Sequence, residues 1–387
     1  MRILFLDQSG KLGGAELCLA DIAQAFSQDS LVGVFAEGTF PDYLRQHNIP
    51  VEILSDKTLD VQKSSGLLAG LKSINQLIPL ITKVTQLSKG YDLIYANTQK
   101  ALVIGAIASF ISRRPLVYHL HDIVSPDHFS RTNRNVIITL ANQAALVIAN
   151  SQSSRDAFIQ AGGRADRIHV VYNGFHPETY TDCLDHIERL HLRKQLTPID
   201  NHTLPFFIGH FSRLSPWKGQ HVLIDALQYC PPNVVALLVG DALFGEEDYV
   251  QQLHQLVASL NLKHRVKFLG FRSDIPKLMS ACDLVTHTST APEPFGRVIV
   301  EAMLCGTPAV AAAAGGAVEL IDPGRTGWLT PPGDVQKLAD VINTCYDSPE
   351  QAKQLAQNAQ VQAKQRFNLV SVNLEINQLL DQTIKKY

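Results

Sequence analysis

With 387 residues, 45% of them hydrophobic and 18% charged, the chain has a globular composition, and its length favours two or three domains over one. A formal net charge of -2 argues against a dedicated nucleic-acid binder. The six cysteines are scattered and form no Cys-x-x-Cys pair, so they read as reduced core residues of a cytosolic protein. The opening MRILFLDQSG has one basic residue and only a short apolar run before Asp7, which suits a first strand and not a signal peptide. No apolar run approaches the roughly 20 residues that a membrane span needs.

Arg2 to Leu6 reads as a buried parallel strand, followed by the loop QSGKLGGAE and a helix with Leu17, Leu19, Ala20, Ala23 and Phe26 on its apolar side. Gly10, Gly13 and Gly14 fit neither G-x-G-x-x-G nor a Walker loop. Two readings stay open: a tight turn, or a loop that lets a substrate approach backbone N–H groups. Apolar strands at 31–35, 51–54, 93–96, 116–120 and 146–149, mostly separated by helical patterns, predict a parallel α/β sheet. Leu67, Leu71, Ile74, Ile78, Ile81 and Thr85 mark one face of a helical segment interrupted by Pro79 and carrying Lys72, Lys83 and Lys89. Such a helix packs on its own sheet or lies on an anionic membrane. His119, His121 and Asp122 close the strand that starts at Leu116, the two histidines on one face and Asp122 on the other. A metal site would need a third ligand, which no recognisable spacing supplies, so structural histidines are the default. The carboxyl end of a strand in an open α/β sheet is also where ligands bind.

Residues 175–205 contain a short charged helix around 188–195 and the turn-rich TPIDNHTLP, and read as an interdomain linker. The pattern then restarts with strand 206–211, loop 212–219 and a helix from Gln220, so two Rossmann-like halves are expected. Arg213 and Lys218 flank that loop. Cations near a helix start oppose the macrodipole unless an anion intervenes, which favours a bound phosphate. The stretch CDLVTHTSTAPEPFGRVIVEAMLCG, residues 282–306, carries the most information. A β-rich run gives way to a Pro-punctuated loop bearing Glu293, Gly296 opens an apolar helix, and Glu301 sits about one turn along. Free N–H groups at the helix start suit a diphosphate, and the two carboxylates suit polyol hydroxyls on either side: a site for a sugar nucleotide. The plain alternative is an acidic residue offsetting the dipole and a surface helical glutamate.

Glu293, Pro294, Phe295, Gly296 and Glu301, followed by Cys-Gly-Thr-Pro, resemble the E-x7-E signature of the family 4 retaining glycosyltransferases of the GT-B fold. FSRLSPWKGQ resembles the family's G-R-L-x-x-x-K-G loop, with Phe211 and Ser212 in place of the usual small residues. GGAE, the His-Asp pair, VVYNG and DPGRTGWL follow the family pattern as well. The resemblance implies an α/β fold of two Rossmann-like domains facing each other across a cleft. The acceptor domain would be 1–178, a linker 179–204, the donor domain 205–368, and a final helix 369–387 would cross back to the first domain. It implies that Glu293 and His121 are catalytic and that Gly14, Arg213, Lys218, Phe295 and Gly296 hold the donor diphosphate. Glu301, Val298, Phe271 and Arg272 would face the ribose and base, and Gly13, Glu16 and Asp122 the acceptor.

The chain contains no D-x-D triplet, which weakens a metal-dependent GT-A reading. No metal or other cofactor is expected, because fixed cations and N–H groups can offset the charge that grows on the leaving diphosphate. The expected activity is retaining transfer of a hexose from a UDP-sugar, UDP-glucose foremost, to a glycan or lipid-linked saccharide in bacterial polysaccharide biosynthesis. The expected place is the cytoplasm, with peripheral contact at the inner face of the plasma membrane through the first domain, and no nucleic acid as partner. A UDP-sugar epimerase of the same fold and a non-catalytic sugar-nucleotide-binding subunit are the competing readings, disfavoured by the E-x7-E arrangement and by the joint presence of Arg213, Lys218, Glu293 and Glu301.

Overall fold

The computed structural model describes residues 1–55, 67–181, 183–196, 205–242 and 245–387, with the side chains of 67–76 outside that description. The side chains of Leu67, Leu71, Lys72 and Ile74 and the 197–204 part of the expected linker therefore lie outside that description. The chain divides into two compact units, Met1–Phe175 together with Leu369–Tyr387, and His176–Asn368.

In the first unit, short apolar runs give seven strands: β1 (Ile3–Asp7), β2 (Leu31–Val34), β3 (Val51–Ile53), β4 (Leu93–Ala96), β5 (Leu116–Leu120), β6 (Leu146–Ala149) and β7 (Ile168–Val170). All pair in parallel, in the order β3-β2-β1-β4-β5-β6-β7. Alternation along each strand feeds two cores, one on each face of the sheet. Leu4, Leu6, Ile94, Tyr118 and Val147 meet the side chains of helices Gln99–Ser112 and Arg131–Ala141, together with Leu80 and Val84 of Leu67–Ser88. Ile3, Phe5, Tyr95, Val117 and Ile148 meet helix Gly14–Gln24 and, from the far end of the chain, Val372, Ile376 and Leu380 of helix Leu369–Lys386. Burying each of those three side chains contributes about 2 kcal/mol. The approach is close: a Cβ on Gly174 would lie 2.6 Å from Leu369 Cδ1 and 2.9 Å from its Cα.

The second unit repeats the plan with β8 (Phe206–Phe211), β9 (Val234–Val239), β10 (Val266–Gly270), β11 (Leu284–His287), β12 (Ala309–Ala312) and β13 (Trp328–Thr330), all parallel, in the order β10-β9-β8-β11-β12-β13. The expected linker 179–204 is in part structural. His186–Leu196 is a helix whose buried Arg193 grips Asp283 at 2.9 and 3.0 Å, while Asp283 also accepts from the Phe207 N–H at 2.8 Å. That charge-assisted grip ties the helix to the second unit, so the division falls after Phe175 and not after 178. Both sheets have the doubly wound order, and each reverses direction next to its first strand, between β1 and β4 and between β8 and β11. Loops leaving those strands diverge, which makes the crevice where open α/β sheets take ligands.

Candidate active site

In the second unit, the loop after β8 and the loop after β11 are stitched together before any side chain reaches into the crevice. Thr288 Oγ1 lies 2.8 Å from the Gly219 carbonyl oxygen and 3.0 Å from that of Lys218, and the Thr290 N–H donates to the Trp217 carbonyl at 2.8 Å. Gly219 has a φ of 73°, and a Cβ there would sit 2.0 Å from the Thr288 carbonyl oxygen, so only glycine lets the loops close. The result is a buried ion pair: Lys218 Nζ is 2.7 Å from Glu293 Oε2, with side chains 16% and 13% exposed. His287 Nε2 at 3.2 Å and the donating Ser289 hydroxyl at 3.1 Å reach the same Oε2. Burial alone would raise the Glu293 carboxyl, but Lys218 and His287 together outweigh it and hold the group well below the usual carboxylate range. Glu293 is therefore ionised at neutral pH. Its backbone is fixed too: its carbonyl accepts from Gly316 N–H at 2.6 Å, and a Cβ on Gly315, at φ 66°, would fall 2.2 Å from that carbonyl oxygen.

Gly296, left-handed at φ 96°, ends the loop and begins helix Arg297–Leu304. Glu301 lies on that helix with its carboxylate 3.6 Å from Arg297 Nε, and the Tyr180 hydroxyl donates to it at 3.5 Å. Trp217 gathers the cations of the preceding loop, with Lys218 Nζ 4.1 Å and the Arg213 guanidinium 5.7 Å from its ring centroid. Arg213, Lys218, Glu293, Gly296 and Glu301 thus all stand at the β8/β11 crevice or on the helix that opens from it. Phe295 turns its side chain into the core, edge-on to Phe367, so it can serve the crevice only through its backbone. Val298 packs against the core beside β11. Phe271 is 73% exposed at the end of β10, and Arg272 is engaged by Asp274 at 2.6 Å. His287, Ser289 and Tyr180 belong to the cluster but were not singled out in the sequence. The alternation of THTS pointed only to a strand, and Tyr180 lay in the stretch read as a linker.

The crevice of the first unit is polar in a different way. Asp7, at the end of β1, is fully buried and accepts from Asn97 Nδ2 at 2.7 Å and from the Ser9 N–H at 2.7 Å. Asn97 Nδ2 also donates to the Ala15 carbonyl at 3.1 Å, so Asn97 Oδ1 must accept from His121 Nε2, 2.8 Å away. This chain places a proton on His121 Nε2. Burial pushes Asp7 up to about 6, although Asn97 and the Ser9 and Gln8 N–H groups pull the other way. Burial, helped by the Asp7 charge, pushes Glu16 up to about 8. Glu16 folds back over Gly13, where a Cβ would lie 2.7 Å from its Oε2, and Gly14 opens the helix. Asp122 turns away to accept from Gln99 Nε2 at 3.1 Å.

The fold also supplies what sequence spacing did not, a third metal-type ligand: Cys18 Sγ and the ring nitrogens of His119 and His121 lie within 4.8 Å of one another. Here they form part of a bonded core. Cys18 donates to Asn173 Oδ1 at 3.4 Å, His119 Nδ1 is 2.7 Å from the Tyr95 hydroxyl, and the two imidazole rings lie tilted to each other with centroids 4.0 Å apart. Burial, with His121 beside it, holds His119 far below the ordinary histidine range and hence neutral.

Comparison with known proteins agrees with this geometry. The family model "Glycosyltransferase Family 4" matches residues 12–179 and "Glycosyl transferases group 1" matches 196–362. The chain is 59% identical to Anabaena HepE, crystallised in complex with UDP-glucose; the two superimpose with a TM-score of 0.91 over 99% of this chain and 100% of that one. It is 30% identical over 292 residues to the D-inositol 3-phosphate glycosyltransferase of Xylanimonas cellulosilytica, covering 72% of this chain and 68% of the relative. An uncharacterised glycosyltransferase of Methanocaldococcus jannaschii is 29% identical over 253 residues, a stretch that spans 63% of that relative and 62% of this chain.

Proposed function

The chain belongs to the family 4 glycosyltransferases of the GT-B fold, and on that premise we propose that it transfers a glucosyl group from UDP-glucose, with retention and without a metal ion, to a saccharide or lipid-linked saccharide in bacterial polysaccharide assembly. One observation carries the chemistry: the buried Lys218–Glu293 pair, with His287 and Ser289 on the same carboxylate oxygen, at the switch point of the second sheet. The full-length likeness to a protein crystallised with UDP-glucose supports the donor.

When the bond between the anomeric carbon and the phosphate oxygen breaks, its electron pair leaves with the diphosphate, and negative charge grows there. Lys218 and Arg213, gathered on Trp217, are fixed cations for that charge, and the N–H groups at the start of helix Arg297–Leu304 add the positive end of a helix. Such groups are already oriented, so they cost no reorganisation at the moment of reaction. Glu293, ionised and anchored through Oε2, has its other oxygen to accept hydroxyls of the transferred sugar. Glu301 takes the ribose, and Val298, Phe271 and Arg272 border the base. In the first domain, His121, oriented through Asn97 Oδ1, serves the acceptor, with Gly13, Gly14, Glu16 and Asp122.

The test is turnover of UDP-glucose in the presence of EDTA, with released UDP counted and the anomer of the sugar product followed by proton NMR. The expected result is UDP release with α-configured product formed first. Release only after a divalent metal is restored, or β-configured product, contradicts the reading.

A further inference from the structure

The cluster of Cys18, His119 and His121 stands apart from Lys218 and Glu293, and its three ligand atoms lie within 4.8 Å of one another. Topology makes it. Strand β5 carries both histidines toward one face of the sheet, and helix Gly14–Gln24 lays Cys18 across that face. Cys18 and His119 are 3% and 2% exposed, and His121, at the crevice, is half-buried.

Two features go beyond a bonded core. His119 Nε2 is buried with no hydrogen-bond partner among the described residues, although nearly every buried polar atom of a folded protein has one. Each histidine is also held by an oxygen: His119 Nδ1 lies 2.7 Å from the Tyr95 hydroxyl, and His121 Nε2 lies 2.8 Å from Asn97 Oδ1. Metal-ligating histidines are oriented in this way, with one ring nitrogen on an oxygen and the other on the ion. A thiolate and two imidazoles are a donor set for zinc, which also takes three protein ligands and a water elsewhere. Calcium and magnesium prefer oxygen and have no claim on it. Zinc bonds of about 2.0 to 2.3 Å set tetrahedral ligand atoms about 3.3 to 3.6 Å apart, so the side chains need to close by no more than about 1.5 Å.

We propose that Cys18, His119 and His121 bind a zinc ion that shuts the acceptor crevice of the first domain. Each imidazole coordinates through the nitrogen that its oxygen partner leaves. The Cys18 thiol gives its proton to solvent and a sulfur lone pair to the metal, and a water completes the shell. Asn173 Oδ1, which accepts from that thiol at 3.4 Å, gives up its donor. The ion enters past His121, the least buried of the three. The control rests on the reading that gives His121 to the acceptor: an imidazole held by zinc cannot serve it, while Lys218 and Glu293 keep their places. Transfer is therefore on in EDTA and off in zinc, with the same donor affinity in both.

The test loads the metal-free full chain with zinc alone, buffered at a low free concentration, and with cobalt as a coloured stand-in. About one equivalent of cobalt should give the intense visible bands of a tetrahedral site and a near-ultraviolet thiolate band, and zinc should bleach both. Cys18→Ala should lose the thiolate band, bind zinc about 100-fold more weakly and keep its metal-free turnover of UDP-glucose. His121→Gln should also bind zinc more weakly, by about tenfold or more, so the assignment does not hang on one variant. In the wild type zinc should lower kcat about tenfold or more at unchanged UDP affinity, EDTA should restore it, and Cys18→Ala should escape. A thiolate band that persists in Cys18→Ala, or an unchanged zinc affinity in that variant, overturns the site. Zinc bound with transfer undiminished overturns the control. A chain that releases no UDP even in EDTA sinks the transferase reading instead, and the cobalt spectrum still decides the site.

Discussion

The two domains wind their sheets in the same way and place acidic residues at the same kind of switch point, yet they treat the charge of those residues differently. In the second domain a lysine stands 2.7 Å from Glu293, and the carboxylate stays ionised although it is buried. In the first domain Asp7 is met instead by the Asn97 amide and the Ser9 N–H. Burial pushes Asp7 up to about 6, burial with the Asp7 charge pushes Glu16 up to about 8, and burial keeps the neighbouring His119 neutral. One crevice therefore holds a compensated charge, and the other a neutral histidine and a Glu16 that keeps its proton at neutral pH beside Asp7. The difference suits a donor that brings two phosphates to one half and an acceptor whose hydroxyl must give up a proton in the other.

The contrast can be broken most sharply at Glu293. Glu293→Ala should lower kcat by about 100-fold or more while UDP affinity changes by only a few-fold, because the proposed reaction places the residue on the sugar and not on the nucleotide. Steady-state kinetics with calorimetry on the same preparation reads both numbers. Lys218→Ala comes next. It removes the cation beside Glu293 that the proposed reaction also sets against the diphosphate, and UDP-glucose affinity should fall about tenfold, or about 1.4 kcal/mol. Wild-type affinity in that variant would count against the diphosphate assignment.

Asn97→Ala probes the other crevice by freeing the His121 ring that Asn97 Oδ1 orients. A loss of about tenfold in kcat at unchanged donor KM is expected, with a shifted pH profile separating positioning from simple instability.

The smallest effect concerns stability. Glu16 is raised from its ordinary 4.5 to about 8, so the folded state keeps a proton that the unfolded chain releases. Its favourable contribution is complete below pH 4.5 and is lost as pH rises to about 8. Glu293 works in the opposite sense, its contribution present above the ordinary 4.5 and lost as pH falls below it. Glu16→Gln should therefore gain thermal stability relative to wild type as pH is raised from 5 to 8, and a pH-independent difference between the two melting curves would remove the claim.

Much of this was legible in the sequence because it is local. Runs such as Ile3–Leu6 and Val117–Leu120 can be buried on both faces only as parallel strands, and Gly296 before an apolar helix announces a helix start. The loop cations Arg213 and Lys218 could be placed for the same reason. What escaped depends on partners distant in the chain. Arg193 sits in a segment whose charges suggested a solvated linker, and its burial is explained by partners distant in the chain: Asp283, 90 residues away, and the Ala281 carbonyl. Asn97 meets both Asp7 and His121 because β1, β4 and β5 lie side by side, and no spacing of residues reports that adjacency. Cys18 joins the two histidines for the same reason.

The most direct test of the donor site is calorimetry of UDP-glucose, GDP-glucose and ADP-glucose in EDTA, on the wild type and on Lys218→Ala. The account predicts selective binding of UDP-glucose without metal, weakened about tenfold by the substitution. Binding that requires a divalent ion, or that is indifferent to the loss of Lys218, would contradict it.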